Sequence, residues 1–383
     1  MIRITDKTQC TGCTACITSC PRQCIVMRRD RQGFDYPVAN PDLCIGCGLC
    51  ESVCPVLNPR ETARPMAAYA ARVDEHVRES SSGGVFPRLA EDMVGAGGIV
   101  FGAVMNPDLT VGHSEAETMD EVRKMTGSKY VQSDMYSVYE DVRTYLEDGR
   151  KVLFTGTPCQ VAGLNSFLGK AYEELITVDV ACHGAPSPGL WEKYAAALSR
   201  KYGVSIDGVC FRDKSSGWRR YSFTVKAGDT TFSVPYVKDP FMALFIQDMT
   251  LRPSCYSCPA REGRSGSDLT LADLWNVAEA APAFDDDRGV SLVLANTGKG
   301  MKFLEESGIA LHEVDPETAA RKNSGFAGQT PCPERREEFF SGIHSSKDLI
   351  SYMSGFVVRT WSFKKCYERI HTLLSKIKRR IAR

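Results

Sequence analysis

Two copies of one cysteine motif, offset by 34 residues, constrain this chain more than any other feature of its sequence. Each copy has the spacing Cys-x₂-Cys-x₂-Cys-x₃-Cys-Pro, and the two copies consist of Cys10, Cys13, Cys16 and Cys20, and of Cys44, Cys47, Cys50 and Cys54. Steps of three residues wrap one turn of backbone around a cube face, so three sulfurs reach three irons of a [4Fe–4S] cluster. The first three cysteines of each copy are therefore predicted to bind one cluster.

The fourth cysteine of each copy is predicted to bind the cluster of the other copy. It lies too far along the chain to close the same cube, and in two-cluster ferredoxins it is a ligand of the other cluster. One predicted cluster is thus held by Cys10, Cys13, Cys16 and Cys54, and the second by Cys44, Cys47, Cys50 and Cys20. Residues 1–58 are predicted to form a bacterial-type 2[4Fe–4S] ferredoxin domain, which transfers electrons.

Zinc binding and disulfide bonds are the alternative explanations for such cysteines. Zinc sites usually combine two Cys-x₂-Cys pairs across a longer loop, a layout that this spacing does not match. Disulfides require an oxidising compartment. The segment Met1–Asp6 has neither the apolar stretch nor the cleavage site of a secretory signal, so we expect a cytoplasmic protein with reduced thiols.

The length and the charge balance of the chain favour a protein of several domains without a strong net charge. A length of 383 residues suggests two or three domains. Lys and Arg together number 47, as do Asp and Glu, so no net basic charge indicates a nucleic-acid partner. No run approaches 18 apolar residues, so we expect no transmembrane helix.

Beyond the ferredoxin module, residues 59–66 are polar and bracketed by prolines, as expected for a linker. Residues 67–330 alternate apolar runs with helical periodicity, which predicts an α/β domain with a mixed sheet. The predicted strands are 67–71, 99–105, 152–155, 176–181, 209–212, 269–272 and 290–295, and the predicted helices are 85–94, 133–147, 161–168 and 190–202. The dipeptide Gly228-Asp229 predicts a hairpin between 221–225 and 231–234.

Four further cysteines form a possible third site in this domain. Cys159 and Cys182 each follow a predicted strand, and Cys255 and Cys258 form a Cys-x₂-Cys pair. Because neighbouring parallel strands end at the same edge of a sheet, where ligands also bind, the first two cysteines can face one another. Four thiolates suit a third [4Fe–4S] cluster or a Cys₄ zinc site, and two buried core cysteines beside an incidental pair is the third possibility.

Residues 331–383 are predicted to form a basic C-terminal tail. From Arg359 onward the tail has nine Lys or Arg and one Glu, interleaved with aromatic and aliphatic residues. Such a pattern fits an amphipathic helix in peripheral contact with a membrane or with a partner protein. A helix packed on its own domain, with a charged outer face, fits the same pattern.

Seven ordered motifs resemble those of one protein family. They are Ser81–Phe86 (SSGGVF), Gly127–Ser133 (GSKYVQS), Gly156–Gln160 (GTPCQ), Cys182–Gly184 (CHG), Phe211–Lys214 (FRDK), Cys255-x₂-Cys258 and Ser267–Trp275 (SDLTLADLW). In this respect the chain resembles the beta subunit family of coenzyme F420-reducing hydrogenase and formate dehydrogenase. F420H₂ oxidases and 7-hydroxymethyl chlorophyll a reductase are related members. The resemblance covers about residues 1–300, including the fused ferredoxin.

This resemblance implies FAD beside a [4Fe–4S] cluster and therefore favours a cluster at Cys159, Cys182, Cys255 and Cys258. Ser82, Gly83 and Gly84 open a predicted helix, whose free N–H groups suit a flavin phosphate. The other predicted flavin contacts are Lys129, Gln132, Thr155, Gly156 and Thr157. His183 is the predicted catalytic residue, as a proton or hydrogen-bond donor to reduced flavin, although it can instead orient a cluster thiolate.

The function implied is that of an FAD-dependent iron–sulfur oxidoreductase. Electrons would pass between a hydride carrier or organic substrate, F420-like or other, and the clusters, with a soluble electron carrier or a partner redox subunit outside. A flavin accepts a hydride as two electrons, whereas clusters accept one electron at a time. The alternative function is a non-catalytic electron-relay subunit of a larger redox or polysaccharide-modification system.

Overall fold

The computed structural model describes residues 1–326 and 329–358. In its N-terminal module each cysteine motif forms a loop and a short helix that contains the third cysteine, either α1 (Ala15–Thr18) or α2 (Leu49–Ser52). Between the motifs, β1 (Ile25–Arg29) and β2 (Asp35–Ala39) form an antiparallel hairpin. The module is thus a small pseudo-repeat in which two equivalent loop–helix units flank one hairpin.

The rest of the described chain alternates strands and helices. The strands are β3 (Ala67–Ala71), β4 (Ile99–Met105), β5 (Val111–Ala116), β6 (Val152–Gly156), β7 (Leu175–Val180), β8 (Gly208–Asp213), β9 (Ser222–Ala227), β10 (Thr230–Pro235), β11 (Leu269–Asp273), β12 (Ser291–Ala295) and β13 (Leu311–Glu313). The helices are α3 (Asp74–Val77), α4 (Val85–Gly95), α5 (Met119–Met125), α6 (Val138–Glu147), α7 (Pro158–Leu168), α8 (Pro188–Tyr202), α9 (Pro240–Ile246), α10 (Val277–Ala280), α11 (Gly298–Glu306), α12 (Pro316–Ala320), α13 (Arg336–Gly342) and α14 (Leu349–Phe356).

Eight of these strands form one mixed sheet in the order β13-β3-β12-β11-β7-β6-β4-β5. The four central strands β11, β7, β6 and β4 run parallel to one another, whereas the remaining pairs are antiparallel. Val152, Leu153 and Phe154 of β6 are fully buried, as expected for a parallel strand covered on both faces. The large mixed sheet predicted from the sequence is confirmed.

A second sheet of three antiparallel strands, β10-β9-β8, lies beside the large one. The predicted hairpin is confirmed as β9 and β10, and β8 joins β9 with an irregular register between Cys210 and Asp213. Phe211 of β8 packs within 5.0 Å of Trp191 and 5.6 Å of Phe223, measured between ring centroids. This aromatic core fixes the end of β8, which borders the candidate site described below.

The ferredoxin module is packed against the α/β domain. Phe34 and Tyr36 of its hairpin are buried in the same apolar cluster as Trp191 of α8. The backbones of the two parts touch where the Gly189 N–H donates to the Gly33 carbonyl at 3.1 Å. A Cβ on Gly33 would lie 2.8 Å from the Gly189 Cα, so only glycine permits this approach.

The C-terminal helices α13 and α14 belong to the packed domain, which therefore extends beyond the predicted boundary at residue 330. Phe339 and Met353 are fully buried in the cluster that contains Phe34. The prediction of a membrane or partner contact concerns residues 359–383, which lie outside the described residues. No helix within residues 1–326 and 329–358 is both long and apolar enough to span a membrane.

Candidate functional site

The ferredoxin module contains two cavities, each lined by cysteines from both motifs. One cavity is lined by Cys10, Cys13, Cys16 and Cys54, which we name the inner set. The other is lined by Cys44, Cys47, Cys50 and Cys20, which we name the outer set. The fold thus brings together the two crossed groups of cysteines that the motif spacing predicts as cluster ligands.

Both cysteine loops bend at residues with left-handed backbone. Gly12 and Thr14 of the first motif have φ angles of 73° and 67°, and Gly46 and Gly48 of the second have φ angles of 70° and 77°. Thr14 and Gly48 precede α1 and α2 directly. Three of these four residues are glycines, which adopt positive φ at little cost. The two loops therefore share one conformation, which turns the sulfurs of each loop toward a common centre.

A fifth cysteine lies at the outer set. The Sγ atom of Cys24 is 3.5 Å from that of Cys20, and Cys24 lines the same cavity. It stands outside the repeated motif, so its spacing in the sequence indicates no role. Only the fold shows that Cys24 lies beside Cys20, because the chain turns back there and enters β1.

The burial of the inner set suits a cationic centre. Burial raises the pKa of the Cys13 thiol to about 11, and burial followed by the charge of Cys13 raises that of Cys16 further. A thiol with such a pKa is protonated at neutral pH unless a positive centre binds the thiolate. The residues therefore fit an iron–sulfur cluster, whose irons supply that positive charge.

The third set, Cys159, Cys182, Cys255 and Cys258, lies at one edge of the large sheet. β6 and β7 are parallel, with Gly156 beside Asp179, and Cys159 and Cys182 each follow three residues later. Cys255 lies in the 3₁₀ turn Pro253–Ser257 and Cys258 follows that turn directly. The predicted meeting of two strand ends therefore agrees with the sheet register.

Helix α7 begins three residues earlier than predicted, so Cys159 lies in its first turn. Thr157 caps the helix in a capping box with Gln160, whose side-chain oxygen accepts from the Thr157 N–H at 2.9 Å. Pro158 occupies the first position of the helix, where its missing N–H costs nothing. The Thr157 hydroxyl lies 3.3 Å from the Cys159 sulfur, which ties this cap to the third set.

The four sulfurs of the third set influence one another. Burial raises the pKa of Cys159 well above its ordinary value, and the charges of Cys258, Cys182 and Cys255 raise it further. Burial likewise raises the pKa of Cys182 to about 12 and that of Cys255 to about 11. Within the described ranges, no three His, Cys, Asp or Glu side chains are grouped as a single bound metal ion requires.

Helix α7 also connects the third set to the inner set. A Cβ on Gly163 would lie 3.0 Å from the Cβ of Cys13 and 2.6 Å from the Tyr139 hydroxyl oxygen. That hydroxyl donates to the Gln160 carbonyl at 2.8 Å. Burial raises the pKa of Tyr139, as do the charges of Cys13 and Cys159, so this ring lies between the two cysteine sets.

His183, the predicted catalytic residue, follows Cys182 in the chain. Its Nε2 lies 2.8 Å from Oδ1 of Asp248, and its carbonyl accepts from Arg261 at 2.8 Å. Its ring meets that of Phe245 edge to face at 5.0 Å, and Phe245 in turn lies 4.6 Å from Tyr130. Tyr130 follows Lys129 in the chain, so these contacts connect His183 to a pocket that Lys129 lines.

A cavity of about 280 Å³, which we name the cationic pocket, lies where β8 meets α3 and α5. Four basic side chains line it, those of Arg78, Lys129, Arg212 and Lys214. Burial lowers the pKa of Lys129 to about 7 and that of Lys214 to about 8. The Nζ of Lys129 donates to the carbonyls of Lys124, Met125 and Thr126 at 2.8 to 2.9 Å, which favours its charged form.

The cationic pocket has donors that fit an anionic group. The Ser80 hydroxyl and the Arg212 Nε are buried and have no hydrogen-bond partner among the described residues. Arg212 is otherwise paired with Asp273 through a nitrogen–oxygen distance of 2.6 Å. Two unpartnered donors beside several cations are the pattern that binds phosphate oxygens. No pattern in the sequence indicates this role for Arg212, although the residue belongs to the FRDK motif.

The other predicted flavin residues lie in two places. Lys129 lines the pocket, and the Ser82 carbonyl accepts from Lys214 at 3.0 Å. The Ser82 hydroxyl donates to Val290 at 2.9 Å and the Gly83 N–H to Ser291 at 3.0 Å, so both groups already have partners. Gly84 directly precedes α4 with a left-handed backbone.

Gln132 and the turn after β6 lie away from that pocket. The Gln132 amide donates to the Thr11 carbonyl at 3.0 Å, which places the side chain against the ferredoxin module. The Thr155 hydroxyl donates to the Phe101 carbonyl at 2.8 Å, and Gly156 and Thr157 continue toward the third set. The predicted flavin residues are therefore divided between the cationic pocket and the surroundings of the cysteines.

Comparison with known proteins identifies two parts of the chain. Residues 149–317 match the family model for the C terminus of the coenzyme F420 hydrogenase/dehydrogenase beta subunit. Residues 9–58 match the model of a 4Fe-4S dicluster domain. A chain in a xenon-derivatised F420-reducing [NiFe] hydrogenase complex from Methanosarcina barkeri is 16% identical, with 75% of this chain and 95% of that chain covered and a TM-score of 0.46.

Three curated relatives match parts of the sequence. An uncharacterised protein of Methanocaldococcus jannaschii is 23% identical over 217 residues, which are 46% of this chain and 59% of that protein. Ferredoxin 7Fe of Hydrogenibacillus schlegelii is 42% identical over 53 residues, 14% of this chain and 62% of the ferredoxin. This chain thus spans less than two thirds of either relative.

The third relative is the ketoisovalerate oxidoreductase subunit VorC of Methanothermobacter marburgensis. It is 32% identical over 60 residues, 15% of this chain and 76% of that subunit. Ferredoxin relatives and the two family models agree on electron transfer through iron–sulfur clusters. The chain therefore contains a C-terminal domain of the coenzyme F420 hydrogenase/dehydrogenase beta subunit family, preceded by a 4Fe-4S dicluster domain.

Proposed function

We propose that this chain is an iron–sulfur flavoprotein oxidoreductase that passes electrons between a hydride carrier or organic substrate and its N-terminal clusters. Family membership supports the oxidoreductase chemistry, and the flavin, the third cluster and an F420-like donor are part of the proposal. The observation that carries it is a continuous series of contacts from the cationic pocket through the third set to the inner set.

The cationic pocket is the proposed site of the flavin phosphates. The Arg212 Nε and the Ser80 hydroxyl line it and would donate to phosphate oxygens, while Lys129, whose three N–H groups already donate to carbonyls, would attract them by its charge alone. When bound, a flavin accepts a hydride as two electrons and passes them on singly. The basic residues of this chain would hold and orient that group, while Asp273 keeps the Arg212 guanidinium in place.

From the pocket, the proposed route follows three aromatic rings. Tyr130 is the neighbour of Lys129, its ring lies 4.6 Å from Phe245, and Phe245 lies 5.0 Å from His183. His183 adjoins Cys182 in the chain and is held by Asp248 at 2.8 Å. We propose that this ion pair positions the imidazole beside the third set, where it can hold a proton during reduction.

The third set is the proposed third [4Fe–4S] cluster. Each sulfur of such a cluster binds a different iron, so its ligands stand wider apart than those of a single zinc ion. Burial raises the pKa of three of these four thiols, those of Cys159, Cys182 and Cys255, which supports a cationic centre of this kind. Electrons would continue past Tyr139 and Gly163 to the inner set and then to the outer set.

Anaerobic purification with quantitation of iron, sulfide and flavin tests the proposal. We expect about 12 irons per chain, four for each of three clusters, and one flavin. The Cys258→Ser variant should retain about 8 irons. Cys332→Ser, which alters an exposed cysteine outside every set, is the matched control and should retain the full content.

A donor screen with F420H₂, NAD(P)H and reduced ferredoxin then identifies the outer substrate. Flavin bleaching by one donor and reoxidation by a one-electron acceptor are the expected results. About 8 irons without flavin in the wild-type chain would exclude the proposal and favour the alternative of an electron-relay subunit. Full iron content in Cys258→Ser would exclude the third cluster alone.

A further inference from the structure

One buried arginine extends from the loop of the third set to the inner set. Arg252 is 1% exposed, and its backbone belongs to the third-set loop. Its N–H donates to the Ala185 carbonyl at 2.9 Å, and its carbonyl accepts from the Cys255 N–H at 2.9 Å. The side chain leaves this loop and ends beneath the first cysteine motif.

The guanidinium makes four hydrogen bonds there. Nε donates to the Cys10 carbonyl at 2.7 Å, Nη1 to Oε1 of Gln132 at 3.0 Å, and Nη2 to the Asp35 carbonyl at 2.9 Å. The fourth bond runs from Nη2 to the Cys10 sulfur at 3.6 Å. All three oxygen acceptors are neutral, and the Asp35 carboxylate is paired with Arg29 at 3.0 Å.

A buried cation among neutral oxygens is costly unless a negative charge lies nearby. The Cys10 sulfur is the acceptor of Arg252 that would carry such a charge, as a ligand of a cluster whose four thiolates make it negative overall. Charges interact strongly in a buried, water-poor setting because the local dielectric constant is low. Arg252 therefore interacts with the electronic charge of the cluster itself.

We propose that Arg252 raises the reduction potential of the inner cluster above that of the outer cluster. Reduction adds one electron to the cluster and breaks no bond, while the guanidinium keeps its protons. The negative charge beside Arg252 grows by one, so the reduced state is stabilised more than the oxidised state. The proposal rests on the crossed ligand assignment and is independent of the flavin and the third cluster.

The outer set has no comparable cation among the residues that line its cavity. Two cations line that cavity, but Arg22 is exposed and the N-terminal amine of Met1 is paired with Glu51 at 3.2 Å, so water, salt and this carboxylate screen their charges. A Cβ on Gly46 would meet no described atom within 4 Å, whereas one on Gly12 would lie 2.9 Å from Nη1 of Arg252. Arg252 thus distinguishes two ligand sets of identical spacing.

Redox titration of the full chain, followed by electron paramagnetic resonance, tests the proposal. In Arg252→Gln we expect the reduction equilibrium constant of the inner cluster to fall at least tenfold, which is about 59 mV for one electron. The outer cluster should not shift. Arg252→Lys keeps the charge and should retain most of the wild-type potential. Arg22→Gln, the exposed control, should move neither cluster by this amount.

A paramagnetic chelate in solution assigns the two signals, because it broadens that of the exposed cluster more strongly. Equal potentials in the wild type and Arg252→Gln at full iron content would overturn the proposal, as would equal losses in the Gln and Lys variants. If Arg252→Gln fails to assemble its clusters, the order in which the two clusters of the wild type are reduced decides the test. The inner cluster must reduce first, and the reverse order overturns the proposal. Missing iron in the wild type would instead indicate a failed ligand assignment.

Discussion

The two cysteine motifs share one spacing and one loop conformation but lie in opposite surroundings. Gly12 and Gly46 occupy equivalent positions, with φ angles of 73° and 70°. A Cβ on Gly12 would lie 2.6 Å from the Gln132 amide, whereas one on Gly46 would have no described atom within 4 Å. The first loop is therefore covered by the α/β domain, and the second is open.

The open loop also exposes apolar side chains. Ile45 is 63% exposed, Leu43 and Leu49 are close to half exposed, and Cys47 is exposed. Local spacing therefore defines which cysteines form a ligand set, whereas residues distant in the sequence determine what surrounds that set. One motif thus faces the interior of its own chain, and its duplicate faces solvent.

The largest expected difference comes from removing one ligand of each set. Cys13→Ser should release the inner cluster, whose predicted ligand Cys13 contacts α7, and so destabilise the α/β domain as well as the ferredoxin module. Structural metal centres contribute on the order of 10 kcal/mol to small domains. Iron content and anaerobic scanning calorimetry measure the loss.

Cys47→Ser is the matched variant of the outer set. Because this loop is open, we expect its loss to remain within the ferredoxin module and the main calorimetric transition of the α/β domain to stay near its wild-type temperature. Equal displacement of that transition in both variants would contradict the distinction between a covered and an open cluster.

A smaller difference is expected from one added methyl group at Gly12 or Gly46. Both alanine variants carry the strain of a left-handed residue, about 1–2 kcal/mol, which cancels in the comparison. Gly12→Ala must also displace Gln132 and Arg252, whose ends are held by hydrogen bonds, at a further cost of about 1–3 kcal/mol. Anaerobic denaturant unfolding measures both, and Gly46→Ala as the less stable variant would refute the expectation.

Much of this molecule follows from patterns within short stretches of sequence. Three-residue steps predict both cysteine loops, and apolar runs predict the central strands of the sheet. The equal offsets of Cys159 and Cys182 from the paired residues Gly156 and Asp179 follow from the parallel pairing of β6 and β7. These features were predictable because each depends on neighbouring residues or on the direction of adjacent strands.

Other features depend on contacts between distant segments and have no local pattern. Arg252 reaches Cys10 across 242 residues, and Gln132 reaches Thr11 across 121. The edge strand β5 was missed because His113, Ser114 and Glu115 interrupt its apolar alternation. Ligand sets are thus easier to predict than the groups that surround them.

Burial also distinguishes one charged side chain from its exposed neighbours. The smallest of the expected effects concerns this side chain, Lys129. Burial lowers the pKa of Lys129 from its ordinary value near 10.5 to about 7. Between these values the unfolded chain binds a proton that the folded chain largely lacks, so this lysine makes stability rise with pH. One full proton contributes about 1.4 kcal/mol per pH unit. The three carbonyls that accept from Lys129 oppose the shift, so we expect less.

Lys129→Met should therefore flatten the stability profile between pH 7 and about 10, as measured by anaerobic denaturant unfolding at several pH values. Lys124→Met removes an exposed lysine from the adjoining α5 and should leave the slope unchanged, because water screens its charge. If Lys129→Met and Lys124→Met both keep the wild-type slope, burial does not lower the pKa of Lys129 into this pH range. Lys129 would then keep its charge above pH 7, and it would not lower the affinity of the cationic pocket for phosphate across this range.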